Sequence, residues 1–346
     1  MPLRSTLVRR RLNSRGPGLA SEGCHVVDTT IQHPSSVARG EDTVRGEWVR
    51  EPRPRRIPEH WWGYILLAPA LLMLVGLILY PVAYSFWVSL HHKHAYLPIQ
   101  TWAGLSNFHY FLFEDPEFWR SLKLGAIYAF GSVTLQVIVG VAAALLLNQT
   151  FIGRGFVRAL ALFPYMLPTI VVVILMRWIF NDSYGVLKFA LEASGLVDRA
   201  FVWFEPDNIM FTLILVSTWT FFPFVLISVL ARLQTISPEL YDAAKVDGAG
   251  LIARFWHVTL PQIANVLFVV VLLRFMFMFT KFDLIYLFAG AGGLGTFVRT
   301  LPIYTFVKSF GELQVGMGAA LSAIMFMMLA AFAALYFRIF RRDESL

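Results

Sequence analysis

Residues 122–148 read LKLGAIYAFGSVTLQVIVGVAAALLLN, and beyond Lys123 no side chain in this run carries a charge. An α-helix rises 1.5 Å per residue, so about 20 mostly apolar residues cross roughly 30 Å of hydrocarbon. The run is long enough to be a membrane span. Five further stretches read the same way, near residues 63–90, 156–181, 209–231, 263–289 and 314–340. Lipid offers backbone N–H and C=O groups no partner, so each span must satisfy its own and be helical. The expected fold is therefore all-α: a polytopic membrane protein with six transmembrane helices. Composition agrees, with 57% hydrophobic and only 15% charged residues.

A net charge of +7 raises the question of a nucleic-acid partner, but the placement of the charge answers it. Arg9, Arg10, Arg11, Arg53, Arg55 and Arg56 precede the first span, and Arg338, Arg341 and Arg342 close the last. Excess arginine next to spans marks the cytoplasmic side, so both termini are expected there, with membrane lipid rather than nucleic acid as the partner. With six spans, the 149–155 turn (Arg154) and the 232–262 loop (Arg232, Lys245, Arg254) then face the cytoplasm. The 182–208 loop, with Asp182, Glu192, Asp198, Glu205 and Asp207 against Lys188 and Arg199, faces out. The 91–121 loop is mixed in sign and favours neither side.

Residues 1–58 combine Arg, Pro, Ser and Gly with almost no apolar periodicity, a composition that cannot offset its ordering entropy by burial. A disordered basic tail is expected there, either a latch on anionic headgroups or a plain extension with a positive-inside role. Residues 59–346 form the transmembrane domain. The lone Cys24 excludes an intrachain disulfide, and the absence of an apolar core close behind the N-terminal arginines predicts an uncleaved first span. Prolines interrupt several spans: Pro69 and Pro81, Pro164 and Pro168, and Pro223. Each removes a helical hydrogen bond.

The 232–262 loop carries the most specific signal. From Ser237 it reads SPELYDAAKVDGAGLIARFWHVTLP. Ser237 suits an N-cap, Pro238 the first helical position, Glu239 the positive end of the dipole, and Gly248 the C-terminal stop. Leu240, Ala243, Ala244 and Asp247 recur at three- and four-residue steps, which gives a face of small side chains that another protein could approach closely. An amphipathic helix lying on lipid would instead want bulky apolar residues opposite a basic face.

This loop resembles the signature of the inner-membrane permeases of binding-protein-dependent ABC importers: Glu-Ala-Ala, three residues, Gly, nine residues, Ile, one residue, Leu-Pro. Asp242, Ala243, Ala244, Gly248, Val258, Leu260 and Pro261 stand at that spacing, with Asp for Glu and Val for Ile. The resemblance implies that Glu239, Tyr241, Asp242, Ala243, Ala244, Asp247 and Gly248, with Leu260 and Pro261, form a cytoplasmic coupling helix that docks on an ATPase subunit. PYMLPTIVVVILMRWIFNDSYGVL (164–187), FDLIYLFAGAGG (282–293) and GMGAALSAIMF (316–326) look like the carbohydrate-uptake, maltose-type branch. That branch implies a dimer of ABC ATPase subunits, a second permease subunit that is more often different than identical, and an extracytoplasmic solute-binding protein. It also implies a bacterial inner-membrane location and import of an oligosaccharide, polyol or glycerol phosphate ester. No cofactor is expected on this chain; ATP and magnesium belong to the ATPase, and no Gly-x-x-x-x-Gly-Lys-Ser/Thr phosphate loop occurs here.

Arg274 lies about eleven residues into its span, close to the midplane, where translocon scales put a charge at roughly 2.5–3.5 kcal/mol. Such a residue faces a polar cavity or a partner. Phe277, Met278 and Lys281 follow it at helical spacing, a stripe that suits sugar C–H faces and hydroxyls. Two readings stay open: a substrate path through Arg274, Phe277 and Lys281, with Trp219 and Phe222 as weaker contributors, or an arginine bonded to a broken neighbouring helix. Asp283 reads as a capping or pairing group. An intramembrane hydrolase would need a base inside the spans, yet every histidine falls outside them, and Ser217 and Ser228 read as hydroxyls bonding back to their own helix. An ion-coupled secondary transporter would need midplane carboxylates, and the spans hold none there.

Overall fold

Pro81, Pro116 and Pro261 each leave the same mark on the backbone. A proline cannot donate to the carbonyl four residues back, and in all three places the preceding residue reaches one residue further, producing a wide π turn. Tyr80 N–H bonds Val75 O after the turn Val75–Leu79, Asp115 N–H bonds Tyr110 O after Tyr110–Glu114, and Leu260 N–H bonds Phe255 O after Phe255–Thr259. The computed structural model describes residues 59–98, 100–195, 201–290 and 294–340. The expected basic tail with Cys24, residues Asp198 and Arg199, the end of the 282–293 stretch, and Arg341 and Arg342 lie outside the described residues.

Among the described residues five helices are long and apolar enough to cross a membrane: α1 (Gly63–Ser89), α2 (Pro116–Asn148), α6 (Ile209–Leu233), α8 (Leu251–Phe279) and α11 (Val315–Ile339). Between α2 and α6 come α3 (Arg154–Met166), α4 (Thr169–Ile179) and the short α5 (Val186–Ala193). The loop helix is α7 (Pro238–Val246), and α9 (Asp283–Gly290) and α10 (Leu301–Phe306) precede α11. A small hairpin pairs β1 (His91–Lys93) antiparallel with β2 (Gln100–Trp102), His91 opposite Trp102.

Two expected spans are corrected. The 156–181 stretch is not one kinked helix: α3 and α4 meet at 101°. Leu167, restricted by the proline after it, is extended at φ −75°, ψ 137°, and Pro168 follows at φ −57°, ψ 140°. Two successive extended residues turn the chain rather than tilt it. The 263–289 stretch also divides. Its helix α8 starts earlier, at Leu251, and stops at Phe279, where Thr280 Oγ1 donates back to Met276 O and Asp283 opens α9. His257 therefore lies in the first turns of a long membrane helix, although exposed. By contrast, Pro223 leaves α6 unbroken.

The core sits where α2 and α6 run side by side, the most extensive helix contact in the chain. Glycine permits the approach: a Cβ on Gly140 would stand 2.6 Å from Val225 Cβ, and one on Gly131 2.8 Å from Ile214 Cδ1. Tyr128, Leu213, Phe275 and Ile285 belong to one apolar cluster around this seam, and Ala144, Val225, Leu230 and Ile263 to a second. α8 packs on both α2 and α6, and α3 on α6. The first helix is different. Every residue from Pro69 to Tyr84 is exposed, and only its last turns, with buried Val88 and Ser89, pack on the rest, chiefly against α11.

Candidate functional site

The loop helix α7 is built at both ends by its own residues. Glu239 N–H bonds Ser237 Oγ at 3.4 Å, with Pro238 in the first turn, as the sequence predicts. At the other end Gly248 adopts φ +79°, its N–H bonds Lys245 O at 3.0 Å, and Ala249 N–H bonds Ala244 O at 2.9 Å. That pair of bonds around a left-handed glycine is a Schellman motif, which satisfies carbonyls the helix would otherwise leave open.

This helix is presented outward. Glu239, Leu240, Asp242, Ala243, Asp247 and Gly248 are exposed, and Ala244 is half-buried. Asp242 pairs with Lys245 at 2.8 Å on the surface, so its carboxylate stays solvated. Tyr241 turns the other way: its hydroxyl bonds Thr259 Oγ1 at 3.2 Å and its ring joins Leu260 against the second apolar cluster. Pro261 is exposed at the π turn. Near the end of α6, Arg232 ties that helix to α8 by donating to Gln262 O at 2.9 Å and Gln262 Oε1 at 3.2 Å. α7 is thus bonded to α8 through Tyr241, and α8 to α6 through Arg232.

The charges inside the spans are arranged differently from the expected stripe. Arg274 is 4% exposed and points into the bundle of its own chain. Its Nε donates to Gln136 Oε1 at 2.9 Å, and its guanidinium lies 4.9 Å from the Phe221 ring centroid and 5.6 Å from that of Phe224. No ion pair reaches it among the described residues. Polar and π partners thus take the place of a counter-ion. Gln136, itself fully buried, also donates to Ser217 O at 3.5 Å, and the Tyr128 hydroxyl bonds Ser217 Oγ. Ser217 thus departs from the expected back-bond, whereas Ser228 donates to Phe224 O at 2.8 Å.

Lys281 lies 4.8 Å from the centroid of the same Phe221 ring and pairs with Asp283 at 2.9 Å; Asp283 also accepts from Thr169 Oγ1 at 2.7 Å. Phe221 is thus flanked by two cations, Arg274 of α8 and Lys281 just beyond its end, and the bend between α3 and α4 is tied to the start of α9. Phe277 does not join this group: it is 59% exposed, on the outward side of α8. Trp219 and Phe222 are half-buried and pack on the first and second apolar clusters respectively. Gln136, Thr169, Phe221 and Phe224 escaped the sequence reading. Gln136 had a usable signal, being a lone amide deep in an apolar run, where a buried cation on another span needs a partner.

Residues 136–343 match the family described as "Binding-protein-dependent transport system inner membrane component". The trehalose/maltose transport system permease protein MalF of Thermococcus litoralis is 33% identical over 283 residues, which cover 81% of this chain and 95% of that protein. The sulfoquinovosyl glycerol transport system permease protein SmoG of Agrobacterium fabrum is 34% identical over 284 residues, 81% of this chain and 90% of that protein. Among solved structures, a bacterial alginate ABC transporter in complex with an alginate pentasaccharide-bound periplasmic protein contains a chain of the same fold, with TM-score 0.71 at 20% identity over 82% of this chain and 96% of that one. The motif on α7, the six apolar stretches and these matches converge: the chain belongs to the binding-protein-dependent transport system inner membrane components, the permease subunits of ABC importers.

Proposed function

We propose that this permease carries a sugar or sugar-like solute, such as an oligosaccharide, a polyol or a glycerol phosphate ester, and moves it by alternating access driven by a separate ATPase. The observation that carries the reading is α7, a capped helix with Ala243 exposed and Ala244 half-buried, which Tyr241 bonds to Thr259 of α8, while Arg232 of α6 bonds Gln262 of the same α8. ATP and magnesium act on a partner ATPase dimer that docks on Glu239, Asp242, Ala243, Ala244, Asp247 and Gly248, while Tyr241, Leu260 and Pro261 transmit the movement. The side of the membrane that holds α7 is the cytoplasm, together with both termini. A second, different permease subunit completes the path, and a solute-binding protein delivers the solute to the far side. The sugar class rests on the relatives named above.

Within this reading, exposed Phe277 with half-buried Trp219 and Phe222 faces the path, and Arg274 and Lys281 hold the wall behind it through Gln136 and Phe221. The test is purification of the detergent-solubilised chain with mass spectrometry of what accompanies it, native against Ala243→Glu. An ATPase and a second multi-span protein should come down with the native chain and be lost, at least about tenfold, from the variant, since a charge in a tightly packed docking face costs upwards of 1.4 kcal/mol. A chain that purifies alone and still moves solute would be an ion-coupled transporter instead.

A further inference from the structure

At the end of α6 away from α7, the chain between α4 and α5 forms an open cleft of about 450 Å³ lined by Asp182, Ser183, Tyr184, Lys188, Phe189 and Glu192. The floor is fixed. Asn181 Oδ1 accepts from the N–H groups of Ser183 at 2.8 Å and Tyr184 at 3.1 Å, and Gly185 N–H bonds Asn181 O at 2.9 Å. Only glycine fits position 185, because a Cβ there would stand 2.3 Å from Asn181 O and 2.6 Å from Ile179 O. One wall is anchored as firmly: Asp182 Oδ1 accepts from the N–H of Trp203 at 2.7 Å, Trp203 is 3% exposed, and its ring meets that of Phe180 edge-on at 4.9 Å. Behind the floor, Arg177 donates to Phe288 O at 2.9 Å and ties α4 to α9.

On this rigid frame the chain displays groups that do nothing for its own packing. Tyr184 is 66% and Phe189 76% exposed, and α5 buries no residue. Lys188 and Glu192, whose side chains are 15% and 26% exposed, pair at 3.8 Å along the cleft, and the second carboxylate oxygen of Asp182 is not used by Trp203. Two aromatic faces beside carboxylates, an ammonium and a hydroxyl match a saccharide, whose C–H faces stack on rings while its hydroxyls take the polar groups. The volume lies at the lower end of the range for small-molecule pockets and has room for a mono- or disaccharide. A protein partner would favour a broader patch than this concave surface.

We infer that the Tyr184–Phe189 cleft is a saccharide-binding subsite at the outer mouth of the permease, where solute rests between release and entry to the membrane path. The inference rests on the sugar reading above. Its test uses the whole importer in nanodiscs, without the solute-binding protein, and maltose or trehalose, whichever the wild-type assembly takes up in proteoliposomes. Saturation-transfer NMR should give a sugar signal on the wild type that drops at least about fivefold in Tyr184→Ala/Phe189→Ala and persists in Tyr184→Phe/Phe189→Tyr, since stacking needs a ring and not its hydroxyl. An unchanged signal in the double alanine variant overturns the subsite. So does an unchanged signal accompanied by weaker docking of the solute-binding protein, which would make the cleft a protein contact. A wild-type importer that takes up no oligosaccharide, polyol or glycerol phosphate ester would instead remove the sugar reading itself.

Discussion

Gly248→Trp is expected to cut solute uptake by tenfold or more while the chain still inserts and folds. A Cβ at this position would meet nothing within 4 Å, so the substitution causes no collision inside the chain. The backbone is what suffers: at φ +79° an L side chain strains the peptide by about 1–3 kcal/mol, and the two Schellman bonds that end α7 are the ones placed at risk. The new indole would also stand on the surface that the ATPase must approach. ATP hydrolysis by the assembled transporter should therefore persist or rise while uptake falls, a separation measured by running both assays on the same proteoliposomes. Equal uptake by wild type and variant would show that α7 does not transmit the movement.

The largest effect on stability is expected from Gly140→Leu. At Gly140 even a methyl group would be 2.6 Å from Val225 Cβ, 2.8 Å from Val225 Cγ1 and 3.2 Å from the backbone nitrogen of Leu226. Two of these contacts involve a β-branched side chain with little rotamer freedom, and the third is backbone, so the helices themselves must separate. Overpacking of this kind costs about 1–3 kcal/mol, occasionally more, and here it acts along the broadest helix contact of the chain. A loss of about 3 kcal/mol lowers the folded-to-unfolded ratio more than a hundredfold. The measurement is the unfolding midpoint of the detergent-solubilised chain in a denaturing-detergent titration. A midpoint equal to that of the wild type would mean that α2 and α6 lie further apart than described.

Four of the apolar spans, the capped loop helix and the importer family were legible because each depends on local residue chemistry: apolar length, an N-cap serine, a left-handed glycine, a motif at fixed spacing. Leu167 and Pro168 were harder. A proline in a span is compatible with a kink, a π turn or a full bend, and the outcome depends on what the two halves pack against, which no local pattern encodes. Arg274 shows the same limit at the site. Its cost in lipid required a partner, and the side-chain partner it has within the chain, Gln136, stands on a helix 138 residues away in sequence. Phe277 is exposed while Arg274 is buried because neighbouring positions on a helix can still fall on opposite sides of a packing boundary.

The attachment of the first helix has a consequence for synthesis. Its last turns rest chiefly on α11, yet α11 begins only at Val315, well over two hundred residues downstream. At about 5–20 residues per second, translation needs on the order of 10–45 s to supply that partner. For that interval α1 has only the hairpin and Asn107 beside its last turns, and the rest of it must be stable in lipid. A helix under that demand cannot carry a polar stripe, and from Gly63 to Ser89 it carries no charged residue at all. Its uniform greasiness is thus set by the order in which the ribosome delivers the chain as much as by the surface it ends up presenting.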